Sequence, residues 1–553
     1  MKITKQILIV AVGAFAASCS SIHKIAVPTG SDKIINLPAK KVFTEEEINA
    51  WSHADLELDS IPGISLAKAY QFLEGKKSVP VIVAITDSGT DIEHEDLKSK
   101  VWTNPKEIAG NGKDDDKNGF IDDIHGWNFL GSTYDETLEI TRLYRKLKPK
   151  YEGKTSVDIK KEDAEDYAAF KALEEDYKQN LEEAKEGQKK YMQYQDMLKG
   201  IDDAMKRLTG KETYTLEDVK NTEALQPEVN AKKEIALRIL SSGSTIKEQM
   251  EQLDGAIDYY TSKVNTYYNL EFDGRVALND DAYSMENKVY GDNDVRDHAE
   301  DEIHGTHVSG IVLADRNNNL GAKGVVENAL LMAVRMVPNG DEYDKDVALG
   351  IRYAVDNGAK VINTSFGKGY SPNAEWVYDA IKYAAKKDVL IVNAAGNDAQ
   401  NIDEKPSYPK DVDDAEEISD NFLTVGAITR FYNEDLLANF TNYGKKSVDV
   451  FAPGHDIYNT VINDKYKKLS GTSMASPATA GVAALIRSYY PELSASQVKH
   501  IIMNSGTLVS KEIALPGDET GKKVKLSEVS KSGRIVNAYN AVRMADAMVN
   551  QKK

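Results

Sequence analysis

The sequence predicts an α/β fold, a doubly wound and mostly parallel sheet that a large all-α insertion interrupts. Short β-branched runs, each suited to one buried parallel strand, recur at 79–85, 330–334, 360–364, 389–392 and 422–425. Helical patterns lie between these runs, and strands that alternate with helices favour a parallel sheet. Residues 131–290 differ from the rest of the chain, because they carry helical periodicity and contain no histidine or tryptophan.

Length and composition exclude several classes of protein. A chain of 553 residues is too long for one ordinary core, so at least two structural units are expected. Its 69 basic and 88 acidic residues leave a net charge of −19, which argues against a nucleic-acid partner or a surface for anionic lipids. The single cysteine excludes a disulfide framework. We therefore expect a soluble, acidic protein of more than one unit.

The N-terminus predicts export. Residues 1–18 have the form of a signal peptide, with Lys2 and Lys5 before an apolar run at 7–17 that is too short to span a bilayer. Cys19 directly follows small residues, which resembles a bacterial lipoprotein lipobox and implies a diacylglycerol anchor on Cys19. The location that this implies is the cell envelope, at the outer membrane or the periplasmic face. The alternative is a plain secretory signal, an incidental Cys19 and a secreted protein.

The rest of the chain divides into a tether, one interrupted domain and the insertion. Residues 19–43 are polar and are expected to form a lipidated N-terminal tether. Residues 44–130 and 291–547 carry the α/β pattern and are expected to form the two parts of one domain. The helical insertion, residues 131–290, lies between them.

The insertion is predicted to be an antiparallel helical hairpin or a small bundle. Residues 163–198 and 246–267 each carry an apolar, tyrosine-containing stripe at helical spacing. Packing within the molecule explains such a stripe more simply than a binding face does. A face that docks a protein partner is the alternative.

Three short motifs carry the chemistry. Asp87 follows the first strand run, at the sheet edge where open α/β proteins build their sites. His304 opens the sequence HGTHVSG, and Ser473 lies in GTSMASP at the start of an Ala- and Gly-rich helix. A metal site at His304 and His307 is a weaker hypothesis, because the HExxH pattern of zinc proteases and a clear third ligand are missing.

In the chain order Asp, His and Ser, these motifs resemble those of the subtilisin-like serine protease family (subtilase, S8-type). The resemblance implies a serine endopeptidase that works through an acyl-enzyme intermediate. It implies that Asp87 orients His304, that His304 is the general base and that Ser473 is the nucleophile. Asn397, in the sequence NAAGN, corresponds to the oxyanion-hole donor, with the Ser473 amide as the second donor.

The resemblance covers about residues 44–130 and 291–547 and also implies a substrate site. The segment after the strand run at 360–364 corresponds to a strand that pairs with an extended polypeptide substrate through main-chain hydrogen bonds. Apolar groups nearby imply a pocket for a large hydrophobic residue before the cut. The chemistry requires no cofactor. The implied substrate-binding residues are Ser365, Phe366, Gly367, Ala394 and Gly396.

An acidic loop is a candidate for a structural calcium site. Positions 1, 3 and 5 of an EF-hand-like loop are Asp114, Asp116 and Asn118, and a glycine for the sharp turn follows. The twelfth position is His125 instead of a glutamate, and Asp122 is a candidate to close the shell. A calcium site and a solvated acidic turn fit this loop equally well. The family resemblance separately implies two calcium ligands elsewhere, Asp96 and Asn318.

Two hypotheses of function come from different classes. The first is an active endopeptidase, tethered to an envelope membrane by its lipid anchor, that cleaves polypeptides in extended conformation. The second is a binding lipoprotein in which the insertion docks a protein partner and the α/β part is a scaffold. The complete set of catalytic residues favours the first hypothesis. The insertion keeps the second open, as a regulator, lid or docking arm on an active enzyme.

Overall fold

A computed structural model describes residues 37–413 and 416–550, so the signal peptide predicted at 1–18 and the lipid site predicted at Cys19 lie outside the described residues. The strands are β1 (Val81–Asp87), β2 (Gly126–Asn128), β3 (Ala329–Arg335), β4 (Val361–Thr364), β5 (Leu390–Ala394), β6 (Val412–Asp413), β7 (Glu416–Glu417), β8 (Phe422–Ile428), β9 (Val450–Pro453), β10 (Ile457–Val461), β11 (Lys465–Leu469), β12 (Thr507–Leu508), β13 (Ile513–Ala514), β14 (Lys523–Val524) and β15 (Arg534–Ile535). The α-helices are α1 (Glu45–Ala50), α2 (Leu56–Asp59), α3 (Leu66–Leu73), α4 (Glu139–Tyr151), α5 (Ala164–Thr209), α6 (Leu216–Lys220), α7 (Pro227–Ser241), α8 (Ile246–Ser262), α9 (His304–Leu313), α10 (Asp344–Asp356), α11 (Ala374–Lys386), α12 (Thr472–Tyr489), α13 (Ala495–Ser505), α14 (Leu526–Val529) and α15 (Ala538–Asn550).

The central sheet has nine strands in the order β12-β15-β9-β8-β5-β4-β1-β3-β2. Neighbouring strands are parallel except at one edge, where β12 pairs with β15 in antiparallel order. The predicted mostly parallel sheet is therefore confirmed. β1 extends through Thr86 and Asp87, beyond the apolar run that predicted it, because the Thr86 hydroxyl donates to the Asn363 carbonyl 2.7 Å away. A buried polar side chain with a partner can continue a strand.

Helices cover both faces of the sheet, as a doubly wound fold requires. Alternate residues of a strand face opposite sides, so Val83 and Ile85 of β1 join one hydrophobic core and Ala84 joins the other. The first core contains α3, α9, α12, α13 and α15, and the second contains α10 and α11. Of the helices in the described part of the chain, none is long and apolar enough to cross a bilayer.

The insertion leaves the sheet domain and returns to it at one point. Main-chain hydrogen bonds join Asn128, at the end of β2, to Asp292, with N–O distances of 2.9 and 3.0 Å. Between these residues the 46-residue helix α5 packs against α4, α7 and α8. This helix continues past residue 198, where the predicted helix stops, because Ile201 and Met205 extend its buried stripe. The insertion is thus a small bundle around one long helix.

Tyrosines of the insertion pack against one another inside the molecule. Tyr144 of α4 stacks on Tyr177 of α5 with ring centroids 4.5 Å apart. Tyr191 of α5 stacks on Tyr260 of α8 at 5.4 Å. A β-carbon at Gly187 would lie 2.3 Å from the Tyr260 ring, so glycine allows α8 to approach α5 closely at this point. Intramolecular packing accounts for these four tyrosines.

Candidate active site

Three chain segments bring the predicted catalytic side chains to one cavity of about 660 Å³. Asp87 is the last residue of β1, His304 is the first residue of α9, and Ser473 is the second residue of α12. Between Thr472 and Ser488, every residue of α12 except Ser473 is buried. A buried helix therefore fixes the position of one half-buried serine.

Asp87 fixes the tautomer of His304. His304 Nδ1 donates to Asp87 Oδ1 over 2.7 Å, and the Ser88 amide donates to the same oxygen over 2.8 Å. The side chain of Asp87 is 1% exposed, whereas that of His304 is 39% exposed. Burial lowers the pKa of His304, but the charge and the hydrogen bond of Asp87 outweigh burial, so the pKa is raised. With its proton on Nδ1, the neutral ring presents Nε2 as an acceptor.

The Ser473 hydroxyl donates to the main chain in this conformation. Its Oγ donates to the main-chain carbonyl of Ser365 over 3.0 Å, and the Ser365 hydroxyl donates back to the Ser473 carbonyl over 2.9 Å. A hydroxyl has one proton to donate. To donate its proton to His304, the Ser473 hydroxyl would first have to give up its bond to the Ser365 carbonyl.

Thr472 determines which way the Asn397 amide faces. The Thr472 amide donates to Asn397 Oδ1 over 2.8 Å, and the Thr472 hydroxyl donates to the same oxygen over 3.1 Å. The atom that accepts from a backbone N–H must be oxygen, so the amide orientation follows from the hydrogen bonds. Nδ2 of Asn397 is left as the donor, and both Asn397 and Ser473 line the cavity. The Ser473 amide lies in the first turn of α12, where an N–H has no acceptor within the helix.

The residues implied to bind substrate line the same cavity. Residues 365–367 follow β4 directly and precede Lys368, whose main chain pairs with that of Tyr408. Residues 337–342, which follow β3, line the cavity as a second segment that the sequence did not indicate. Two stretches of main chain thus border the space where a polypeptide would lie. The implied residues found there are Ser365, Phe366, Gly367, Ala394 and Gly396.

The insertion forms part of the cavity wall, a role that no sequence motif indicated. Leu138, Ile140 and Asn180 come from the insertion and line the cavity. Tyr370, just beyond the implied substrate-binding segment, donates from its hydroxyl to Asp176 of α5 over 3.0 Å. The long helix of the insertion is therefore attached to the cleft edge.

A buried ion pair fastens the first helix of the insertion to the cleft. Lys368 Nζ lies 2.9 Å from Glu139 Oε2, and both side chains are 2% exposed or less. Arg142 NH2 lies 2.6 Å from the same Glu139 oxygen. Burial raises the pKa of Glu139, but Arg142 and Lys368 outweigh burial and hold it at about 2. Lys368 and Glu139 are 229 residues apart in sequence, so no local pattern could predict this pair.

His307 is arranged as a structural residue. It is fully buried, and its Nε2 lies 3.0 Å from the Ile457 carbonyl and 3.1 Å from the Lys467 carbonyl. A nitrogen that faces carbonyl oxygens carries a proton, so it has no lone pair for a metal. Burial lowers the pKa of His307 to about 4. His307 Nδ1 is buried without a partner among residues 37–413 and 416–550, but within those residues no group of three metal-ligating side chains includes His304 and His307, which disfavours a zinc site there.

The acidic loop brings two predicted ligands together with one that was missed. Carboxylate oxygens of Glu107, Asp114 and Asp116 lie within 4.8 Å of one another. The Gly119 amide donates to Asp114 over 2.8 Å, as the turn of an EF-hand-like loop requires. Glu107 precedes the loop, outside its recognised spacing, so only the fold could bring it there.

Two other predicted calcium ligands of this loop make bonds of their own. The Asn118 side-chain oxygen accepts from the Phe120 amide over 2.7 Å. Both Asp122 carboxylate oxygens accept from main-chain amides at residues 111 and 112, at 3.2 and 2.8 Å. Asp122 therefore supports the preceding turn and is not part of the three-carboxylate group.

Asp96 and Asn318 form a direct hydrogen bond. Asn318 Nδ2 donates to Asp96 Oδ1 over 2.7 Å, and the side-chain oxygen of Asn318 accepts from the Leu320 amide. Asp96 is fully buried, and its other oxygen accepts from the Ala322 amide and the Tyr466 hydroxyl. In this arrangement Asn318 turns a nitrogen, not an oxygen, toward Asp96.

Comparison with known proteins shows which proteins this chain is similar to. The chain is 39% identical over 242 residues to a thermophilic serine proteinase of Bacillus sp. (strain AK1), covering 43% of this chain and 52% of that protein. It is 36% identical over 266 residues to the cell wall-associated protease of Bacillus subtilis (strain 168), covering 46% and 28%. It is 38% identical over 208 residues to thermitase of Thermoactinomyces vulgaris, covering 37% and 68%.

The chain thus spans about half the length of the first of these relatives and less than a third of the second. The solved structure of the prenylagaramide maturation protease PagA aligns over 44% of this chain and 82% of that chain, at 25% identity and a TM-score of 0.36. A model of the Subtilase family (Peptidase_S8) matches residues 79–522, which include β1, the insertion and α12. The chain belongs to the Subtilase family.

Proposed function

We propose that the protein is a serine endopeptidase that hydrolyses peptide bonds of polypeptides bound in extended conformation. The observation that carries this proposal is the 2.7 Å hydrogen bond from His304 to buried Asp87, in a cavity that Ser473 and Asn397 also line. Serine is a weak nucleophile unless a neutral imidazole takes its proton, and the imidazolium then needs a carboxylate beside it.

The residues divide the reaction between them. His304 Nε2 takes the Ser473 proton as Oγ attacks the carbonyl carbon of the substrate, and Asp87 stabilises the imidazolium that forms. The resulting oxyanion accepts hydrogen bonds from Asn397 Nδ2 and the Ser473 amide. When the carbon–nitrogen bond breaks, His304 gives its proton to the leaving amine. Water, deprotonated by His304, then attacks the ester and releases the second product and Ser473.

The main chain of residues 365–367 is proposed to pair with the substrate, and the segment at 337–342 borders it on the other side. Such strand addition gives affinity through main-chain bonds and lets side-chain pockets set specificity. Phe366, Ala394 and Gly396 are proposed to form the pocket for a large hydrophobic residue before the cut.

Fluorophosphonate labelling tests the proposed activity. The intact mass of residues 20–553 is measured after incubation with the reagent, beside the Ser473→Ala variant, and casein cleavage is followed for both proteins. One adduct and casein cleavage for the native chain, with neither for the variant, support the proposal. A native chain that takes no adduct and leaves casein intact refutes it.

We also propose that the protein is an exported lipoprotein held at the cell envelope by Cys19. The support is the signal-like sequence at 1–18 followed by the single cysteine. Incorporation of labelled palmitate and partition into detergent are expected for the native chain and not for Cys19→Ser. Equal palmitate incorporation and equal detergent partition of the two proteins would favour the secreted alternative.

We further propose that the acidic loop binds a structural calcium ion through Glu107, Asp114 and Asp116. Glu107 Oε2 is buried and has no partner among the described residues, so the loop retains a free acceptor. No step of the chemistry passes through this ion. Calcium at 100 times its Kd should stabilise the fold by about 3 kcal/mol. Thermal unfolding with calcium and with EGTA measures this, and Asp114→Asn should abolish the difference. Asp115→Asn is the control in the same loop.

A docking role for the insertion is a second proposal, with protein substrates as the partner. Four large apolar side chains of α5 and α8 are exposed, Met192, Tyr194, Met197 and Tyr259. Lysine substitutions at Met192 and Tyr259 should slow cleavage of folded proteins but not of short peptides. An equal effect on both substrates, or no effect on either, would contradict a docking role.

A further inference from the structure

Glu342 is a buried acid in the wall of the cleft. It belongs to the segment at 337–342 that borders the cavity, and its side chain is 2% exposed. Its Oε1 is buried and has no hydrogen-bond partner within residues 37–413 and 416–550. Burial without a partner favours the protonated form of a carboxyl, and a buried acid of this kind in the wall of a cleft is a candidate for a functional role.

The two neighbouring cations make no direct hydrogen bond to the Glu342 carboxyl. Lys368 has three N–H donors, and they face Glu139 at 2.9 Å, Asp344 at 3.0 Å and the main-chain carbonyl of Glu342 at 2.7 Å. Arg142 also reaches Glu342 only at this carbonyl, over 3.2 Å. Both cations therefore bond to the main chain of Glu342, and neither donates to Oε1.

The surroundings of Glu342 hold more acidic than basic side chains. Acidic groups outnumber cations in this cluster by five to two: Glu136, Glu139, Asp341, Glu342 and Asp344 against Arg142 and Lys368. Burial raises the pKa of Glu342; Lys368 opposes this, and Asp341 adds to it. The pKa of Glu342 is raised to about 8, so this acid holds its proton at neutral pH, and a further cation beside it would favour the ionised form.

We propose that Glu342 forms an acidic subsite that binds a lysine or arginine side chain of the polypeptide substrate. The proposal rests on the endopeptidase function proposed above, because it needs a polypeptide in the cleft. The pocket at Phe366, Ala394 and Gly396 is apolar and lies on other segments, so the acidic subsite takes a different residue of the substrate. Side chains of an extended peptide alternate in direction, and two pockets can therefore read two positions independently.

Binding to the Ser473→Ala variant tests the subsite without cleavage. A fluorescent neutral peptide is displaced by a series of peptides, each with one lysine at a different position. Otherwise identical peptides with norleucine at that position are measured beside them. We expect lysine to bind at least tenfold more tightly than norleucine at one position. Adding Glu342→Gln should reduce this ratio below threefold, and Glu342→Asp, which keeps the charge, should retain part of it.

Asp301→Asn is the control, because Asp301 lines the same cavity and the change removes the same charge. The Asp301→Asn variant should keep the preference for lysine. This result would separate a local subsite from the overall electrostatic potential of the cleft. Equal affinity for lysine and norleucine at every position, or a preference that survives in Glu342→Gln, overturns the proposal. Failure of every peptide to bind overturns it as well, and fluorophosphonate labelling of the native chain then decides separately whether the endopeptidase function stands.

Discussion

Asn397 has two tasks that can be separated by substitution. Its Oδ1 accepts from the amide and the hydroxyl of Thr472, at 2.8 and 3.1 Å, and its Nδ2 is the proposed oxyanion donor. Asn397→Ala removes both functions. Asn397→Asp keeps an oxygen toward Thr472 but replaces the donor by a second oxygen, which repels the oxyanion.

The two substitutions should therefore differ in stability and agree in catalysis. Loss of one oxyanion donor lowers kcat by about 10² to 10³, or roughly 3 to 4 kcal/mol of transition-state stabilisation. Loss of the acceptor leaves the Thr472 amide without its partner and should reduce the free energy of unfolding by about 1 to 2 kcal/mol. We expect kcat to fall in both variants, with KM changed less than threefold, and stability to fall only in Asn397→Ala.

The assay combines kcat and KM on a chromogenic peptide with urea unfolding of the Ser473→Ala background. Asn401→Ala is the matched control, since Asn401 lies in the same loop and does not line the cavity; its kcat should equal that of the native chain. A kcat for Asn397→Ala within threefold of the native value would show that Nδ2 does not stabilise the oxyanion. A stability loss in Asn397→Asp as large as in Asn397→Ala would contradict the role given to Oδ1.

Three further predictions concern the base, the insertion and the helix that carries the base. Asp87 raises the pKa of His304, so activity is lost as the pH falls through that raised value, on the acidic side of the pH–rate profile. Asp87→Asn should shift this acidic limb to lower pH and reduce kcat by roughly 10⁴. An unshifted limb would refute this. Lys368→Met should destabilise the protein by about 3 to 5 kcal/mol, because it leaves buried Glu139 with one cation fewer. In urea unfolding, the double variant with Glu139→Gln should lose less free energy of unfolding than the two single variants lose together. Losses that simply add would contradict the coupling of the two residues. Gly310→Ala places a β-carbon 2.1 Å from a threonine hydroxyl of β10 and should reduce the free energy of unfolding by about 1 to 3 kcal/mol. Because His304 is the first residue of the same helix, kcat should fall as well. Unchanged stability and kcat would show that α9 tolerates the displacement.

Local sequence patterns predicted the fold class because they report burial. β-branched runs such as 389–392 mark strands buried on both faces, and the sheet confirms their parallel order. The ends of elements were less predictable, as Thr86 and Asp87 illustrate, because polar residues join a strand when a distant partner satisfies them. The helix predicted at 163–198 extends to Thr209 for a related reason, since neighbouring helices bury its continuation.

The sequence by itself determined the chemistry proposed here, because the motifs around Asp87, His304 and Ser473 place particular side chains at strand and helix ends. Only the tertiary structure decided the orientation of the Asn397 amide and left Glu342 Oε1 buried without a partner in the described part of the chain. It also decided the contacts between the insertion and the cleft. The reason is that periodicity describes which face of one element is buried, whereas a hydrogen bond or ion pair requires two elements, often hundreds of residues apart, to meet within about 3 Å.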